Sequence, residues 1–279
     1  MSGIVFFKTK SLEKMHAFYH DKLKLALWLK QIGCNIYQSG NLLLGFIEAF
    51  EPETQGIIDL FFPDQQTIDK KYFLFKDLAV HEPKMNDLYN IYNFPIKDPE
   101  GRIVNLQAFA HHLPPFKSLA ESLIYRRSYR EYKKEPVPTN ILNEIFSLCR
   151  YSPTASDSQC FYYIATQNND DLKFLAHSRG DLSEHIVNAP VAVLTVADQT
   201  KTLRPSTDAH IAGVYLMMAA FAFGLGSCWV ADMNAPDIKE RFKIPQNDFL
   251  ACAIILGYVE ENQTIPNKRN INEFVIYRS

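Results

Sequence analysis

The sequence predicts an α+β chain in two parts: a smaller, strand-rich domain of strand–helix–three-strand type, then a larger domain of helices and short strands. Three observations predict it. Strand-like runs dominate up to residue 110. Two prolines in the segment Ala110–Lys117 (AHHLPPFK) forbid regular structure, because proline has no amide proton and pushes the preceding residue to an extended conformation. Beyond it, the apolar spacing becomes helical between short strands. At 279 residues the chain is long for one domain and comfortable for two. The expected division is residues 1–110, a linker at 111–116, and residues 117–279.

Taken in order, the first part opens with a strand at Ile4–Lys8. Ser11 can cap a helix whose apolar stripe is Leu12, Met15, Phe18, Tyr19 and Leu23. Strands follow at Leu27–Gln31, Asn35–Gln38 and Leu42–Glu48, the last two joined by the tight turn Ser39-Gly40-Asn41. Further strands are expected at Ile57–Phe62, Tyr72–Phe75, Tyr92–Lys97 and Arg102–Ala108. Asp98-Pro99-Glu100-Gly101 is a turn, with proline preset for its second position. No low-complexity tract or tandem repeat is visible in the sequence.

In the second part a helix runs from about Glu121 to Tyr125. Arg126, Arg127 and Arg130 then fall within five residues, with Ser128 among them. Guanidinium groups stay charged and match phosphate geometry, so this is a candidate anion cradle. A helix with the stripe Ile141, Leu142, Ile145, Phe146 and Cys149 follows. The small polar loop Thr154–Gln159 precedes a strand at Phe161–Thr166. A buried strand is expected at Val191–Ala197. Asp208 reads as the N-cap of an almost wholly apolar helix, Ala209–Phe223, closed by Gly224. Pro236 starts another helix, and Ala251–Val259 is a final core strand.

Composition narrows the function. Lys+Arg 29 against Asp+Glu 31 leaves a net charge of -2, evenly spread: 12 basic and 13 acidic residues in 1–115, 17 and 18 in the rest. No basic field attracts nucleic acid or an acidic membrane surface. No apolar run reaches the roughly 20 residues that span a bilayer, and the N-terminus is not a signal peptide. Five widely spaced cysteines without a C-x-x-C pair argue against a disulfide framework or zinc site and point to the cytoplasm. His16, His20, His81, His111 and His112 show no metal spacing that the fold reading supports and are read as surface or linker residues. No G-x-S-x-G elbow and no G-x-G-x-x-G after a strand is present.

The segment SLEKMHAFYHDKLKLALWLKQIGCNIYQSGNLLLGFIE resembles the first half of a glyoxalase/bleomycin-resistance (vicinal-oxygen-chelate) domain, and NFPIKDPEGRIVNLQAF the end of its second half. The resemblance covers about residues 1–110. It implies metal ligands on the strands, but the first strand lacks a histidine, Asn105 stands where a glutamate is usual, and Glu48 alone matches. The expectation is a domain without metal.

The motifs RRSYREY (126–132), EPVP, CRYSPTASDSQCF (149–161), NAPVAVL (188–194), DAHIAGVYLMMAAFAFGLGSCWV (208–230), IILGYVEE and NKRN (267–270) together resemble the FMN-dependent nitroreductase family. The resemblance covers about residues 117–279. It implies a mixed sheet flanked by helices, a homodimer, and FMN at its interface, with NADH or NADPH as co-substrate. Carried over by position, Arg126, Ser128 and Arg130 contact the phosphate, ribityl chain and flavin edge, and Arg127 contributes. Lys268 or Arg269 completes the phosphate clamp. Ser156, Asp157 and Ser158 approach from the partner subunit, and the backbone at Ala231 and Asp232 meets the flavin N5. No protein nucleophile or general acid is implied.

One departure matters. The family's N-S-Q-P-W is here Asp157-Ser158-Gln159-Cys160-Phe161. An ionised aspartate only accepts hydrogen bonds and disfavours negative charge on a reduced flavin. Asp157→Asn is therefore expected to raise the flavin potential. Cys160 reads as a packing residue. The implied activity is ping-pong hydride transfer from NAD(P)H to a nitroaromatic, quinone or activated alkene. The alternatives are reductive dehalogenation, flavin cleavage, or a flavin- or ligand-binding protein without efficient turnover.

Overall fold

The computed structural model describes residues 4–62, 64–110, 117–260 and 267–278. The expected linker at 111–116, with His111 and His112, lies outside the described residues. The chain divides into two compact units, Met1–Ser118 and Leu119–Ser279. Among the described residues no helix is long and apolar enough to cross a membrane.

The first unit holds β1 (Ile4–Thr9), α1 (Leu12–Met15) continuing into a π-helical turn (His16–Lys22), β2 (Ala26–Gln31), β3 (Cys34–Ser39) and β4 (Leu42–Glu48). It continues with β5 (Ile57–Phe62), α2 (Gln65–Phe75), β6 (Lys84–Asn86), β7 (Ile91–Lys97) and β8 (Ile103–Phe109). The sheet orders are β1-β4-β3-β2 and β5-β8-β7-β6. In both, the first strand runs parallel to the last and the other neighbours are antiparallel. The unit is thus one βαβββ plan used twice, a repeat invisible as sequence identity.

Local chemistry explains these elements. The Ser11 hydroxyl accepts the Lys14 amide at 3.3 Å and caps α1. Tyr72–Phe75, expected as a strand, is the end of α2. Its aromatic composition favours a strand, but Asp64 caps the helix by accepting the Thr67 amide at 2.8 Å. Ile68 and Phe75 then face the core. One apolar core, including Tyr19, Phe46, Leu60, Phe94 and Leu106, joins both βαβββ modules. At its edge the guanidinium of Arg102, 1% exposed, donates to Asp98 at 2.8 Å, Glu100 at 2.6 Å and the Lys8 and Glu53 carbonyls at 2.5 Å. It ties the turn before β8 to the end of β1. Asn105, at the position where the resemblance looks for a ligand, bonds to Asp59, Asn93 and Gln107 in an amide–carboxylate ladder. Glu48 is exposed.

The second unit contains α3 (Leu119–Tyr125), α4 (Thr139–Cys149), β9 (Phe161–Thr166), α5 (Asn169–His177), β10 (Val191–Ala197), α6 (Pro205–Ala222), β11 (Gly226–Val230), α7 (Pro236–Arg241) and β12 (Phe249–Gly257). The sheet order is β11-β12-β10-β9, antiparallel throughout. Among the described residues of this unit, the parallel component of the expected mixed sheet is a single bridge, Ser128 to Ser227, on the outer side of β11. One face of the sheet packs on α4 and α6, the other on α5 and the turn at Glu184–Asn188. β10, between its neighbours, is buried at all seven positions.

Asp208 is not the N-cap of α6. Proline fits the first helical turn, where its missing amide proton has no partner to lose, so the helix begins at Pro205. Asp208 lies one turn in and is 2% exposed. Gly224 has φ 80°, and the Leu225 amide reaches back to the Ala220 carbonyl at 3.0 Å, closing α6 as expected.

Candidate functional site

The site begins where α3 ends. Residues 126–133 leave the helix in extended form and run beside the sheet. The Tyr129 amide donates to the Ser227 carbonyl at 3.0 Å, and the Lys133 amide to the Tyr258 carbonyl at 2.8 Å. Two glycines permit this approach. A Cβ on Gly226 would sit 2.9 Å from the Tyr129 ring, and one on Gly257 2.8 Å from the Tyr132 ring. The Tyr132 hydroxyl, donating to the Tyr129 carbonyl at 2.7 Å, fixes the curve of the segment.

This backbone brings Arg126, Arg127, Ser128 and Arg130 to the rim of β11. Among the described residues none of the three arginines pairs with a carboxylate. Arg127 Nη1 donates to the Ile124 and Arg126 carbonyls, both at 2.7 Å. Its Nε and Nη2 are buried and have no hydrogen-bond partner. The Ser227 hydroxyl is also buried and unpartnered. Buried guanidinium nitrogens left unpaired are costly, and an anion is one kind of group that can satisfy them.

Cys228 shows how closely these groups converge. Burial pushes its thiol up, opposed by the charge of Arg130, the Ser128 hydroxyl and the charge of Arg126. His185 Nε2 lies 3.7 Å from its sulfur. Burial, and then the Arg130 charge, hold the His185 imidazole below its ordinary value.

Beyond the Ser128 bridge, the edge of β11 opens onto a cavity of about 590 Å³. Arg130, Asp181, Glu184, His185, Ala231 and Asp232 are among its lining residues. Asp232 has φ 58°, and its carbonyl accepts from Arg179 Nε. The chain turns sharply here, at the end of the strand. Arg130, Ala231 and Asp232 therefore meet at one cavity.

Arg126, Arg127 and Ser128 lie on the same segment but do not line the cavity, and the other expected site residues lie elsewhere. Ser156, Asp157 and Ser158 form a tight loop with left-handed backbone at Ser156, Asp157 and Gln159 (φ 55°, 51° and 48°). Asp208 anchors it, accepting the Ala155 amide at 3.1 Å, the Cys160 thiol at 3.4 Å and the Thr202 hydroxyl at 2.7 Å. The Ser158 hydroxyl is buried without a partner. None of the three lines the cavity. Lys268 and Arg269 are exposed on the C-terminal segment, with Arg269 over the Phe274 ring at 5.0 Å. No contact among the described residues brings them to Arg126–Arg130.

Sequence reasoning missed His185 and the anchoring role of Asp208. His185 stands three residues before Asn188, the start of a motif that was itself visible. A histidine just ahead of a buried strand was the available signal.

Comparison with known proteins bears on the fold of this unit. The nitroreductase family model matches residues 123–189 and 183–258. A Methanothermobacter thermautotrophicus protein named as an NADH dehydrogenase/NAD(P)H nitroreductase is 28% identical over 151 residues, 51% of this chain and 78% of that protein. The structure of an FMN-dependent nitroreductase from Clostridium difficile R20291 aligns with a TM-score of 0.52 at 26% identity, covering 58% of this chain and 99% of the other. The fold is shared with an NADPH:FMN oxidoreductase from Vibrio harveyi solved with NAD+, at TM-score 0.53 and 17% identity, covering 57% and 76%. The fold of the second unit is thus of nitroreductase type. The family model and the structural neighbours both support the nitroreductase family for this part of the chain.

Proposed function

We propose that this protein is an FMN-dependent NAD(P)H oxidoreductase. The observation that carries the reading is Arg127. Its two buried, unpartnered nitrogens lie on a segment with Arg126 and Arg130, beside an open strand edge and a cavity. The residues fit a flavin mononucleotide: a dianionic phosphate needs convergent cations in a partly buried setting. Arg126, Arg127 and Ser128 would hold the phosphate and ribityl chain, Arg130 the ring edge, and the Ala231–Asp232 backbone the ring itself.

Bound FMN supplies two-electron transfer between NAD(P)H and an acceptor, here a nitroaromatic, a quinone or an activated alkene. The protein orients the partners and sets the electrostatics. Arg130 favours negative charge at the ring edge. The 3-10 turn at Glu184–Asn188 and Asp232 wall the cavity.

The chain acts as a homodimer in this reading. Val214, Tyr215, Phe274 and Ile276 are apolar and exposed, at 41%, 39%, 55% and 87%. Ser156, Asp157, Ser158, Lys268 and Arg269, which do not reach the cavity of their own chain, then serve the partner's site. The two βαβββ modules favour a glyoxalase/bleomycin-resistance-like first domain. Buried, unpaired cysteines fit a cytoplasmic location.

Initial velocities with NADPH or NADH against a quinone test the activity. Parallel double-reciprocal lines are expected, because the oxidised nicotinamide leaves before the quinone binds. Absence of turnover in FMN-supplemented protein contradicts the reading.

A further inference from the structure

We propose that His16, His20 and Asp21 form a binding site for a divalent transition-metal ion on the first unit. The donor atoms of the three side chains all lie within 4.8 Å of one another. His16 and His20 are half-buried and Asp21 is exposed, so an ion can reach them.

The backbone makes this cluster. At 3.6 residues per turn, residue i+5 of an α-helix lies about 140° round from residue i, so Asp21 would point away from His16. The chain from His16 to Lys22 is π-helical, and the Leu23 amide bonds five residues back to the Phe18 carbonyl at 2.9 Å. An i→i+5 ladder places residue i+5 above residue i. Both His20 and Asp21 therefore fall beside His16. The imidazole rings stack with centroids 4.6 Å apart and planes 24° apart.

The surroundings orient both rings. His20 Nδ1 lies 2.9 Å from the Leu25 carbonyl, which can only accept. The proton is thus on Nδ1, and the Nε2 lone pair is free for a ligand bond. His16 Nδ1 lies 3.3 Å from the hydroxyl of Tyr37, a fully buried residue. That hydroxyl also takes the Asn35 amide at 3.3 Å. In the tautomer whose Nδ1–H donates to this hydroxyl, Nε2 of His16 is the second nitrogen open to a ligand bond. A second ring nitrogen tied to a carbonyl or hydroxyl is the usual support of a metal-binding imidazole.

Two nitrogens and one carboxylate suit zinc, nickel or copper over magnesium or calcium, which prefer oxygen. Zinc binds such ligands at about 2.0–2.2 Å, so side-chain rotation must draw the three donors closer, and water completes the shell.

The test is calorimetric titration of Zn2+ into the chelator-treated full-length protein. One equivalent should bind saturably. His20→Gln should weaken binding at least tenfold, and His81→Gln, an exposed histidine elsewhere, should leave it unchanged. If His20→Gln does not fold by circular dichroism, the exposed Asp21→Asn replaces it, with a several-fold loss expected. No saturable binding by the parent protein overturns the proposal. So does affinity that survives the substitution of His20 or Asp21.

Discussion

Ser128 and Ser227 face each other in a parallel bridge, and the neighbouring Tyr129 amide donates to the Ser227 carbonyl at 3.0 Å. This pairing holds the arginine-rich run along the edge of β11. It covers the start of the β11 edge and leaves the strand's end at Trp229 and Val230, with Ala231 and Asp232 beyond it, facing the cavity.

Arg127→Ala should weaken FMN binding by about 10- to 100-fold, since hydrogen bonds to a charged group contribute about 1.5–3 kcal/mol. Arg126→Ala should act in the same direction. Quenching of FMN fluorescence on titration reads both, and an unchanged Kd for Arg126→Ala and Arg127→Ala refutes the phosphate assignment.

Asp208→Ala removes the acceptor for the Ala155 amide, the Cys160 thiol and the Thr202 hydroxyl. A loss of about 1–3 kcal/mol is expected from the groups left unsatisfied. Asp208→Asn should lose less, because the amide oxygen still accepts. Urea unfolding followed by circular dichroism measures both, and equal stability of Asp208→Ala and the parent contradicts the anchor.

Arg102→Ala should cost about 3–5 kcal/mol, because it leaves the buried Asp98 carboxylate without its cation. Asp98 and Arg102 have side chains only 0% and 1% exposed. The loss should appear in denaturant unfolding of the full chain, while FMN affinity, held by the other unit, stays within twofold. A stable Arg102→Ala protein would show that the carboxylates find other partners.

His185 gives a pH dependence. Burial and Arg130 depress its folded pKa below the unfolded value of about 6.5. Between those two values the unfolded chain binds more protons, so stability rises with pH. As pH falls below about 6.5 this contribution is lost, and the loss is complete below the folded pKa. Stability of His185→Gln should fall less steeply than that of the parent over this window. Identical slopes in chemical denaturation at stepped pH would remove the group from the account.

The legible parts of the fold are those where one pattern acts alone. β9, β10 and β4 coincide with their runs in the sequence, and the Asp98–Gly101 turn forms with Gly101 at φ 88°. Tyr72–Phe75 misleads because side-chain composition suggests a strand while a cap eight residues upstream starts a helix. Asp208 misleads because any aspartate before an apolar run resembles a cap, and Pro205 sets the true start. The arginine cradle is visible as a motif, but its pairing with Ser227 needs a contact between residues about a hundred positions apart. His16 and His20 are four apart in the sequence, a spacing compatible with a shared ligand. Their approach to Asp21 depends on a π-turn that apolar periodicity does not distinguish from an α-helix.

The most direct measurement is the visible absorbance spectrum of the purified protein supplied with FMN, recorded without oxygen before and after addition of NADPH or NADH. A protein-bound oxidised-flavin spectrum that bleaches when the nicotinamide is added is expected. A protein that retains no flavin after FMN is supplied and the excess removed, or whose bound flavin stays oxidised with both nicotinamides, would contradict it.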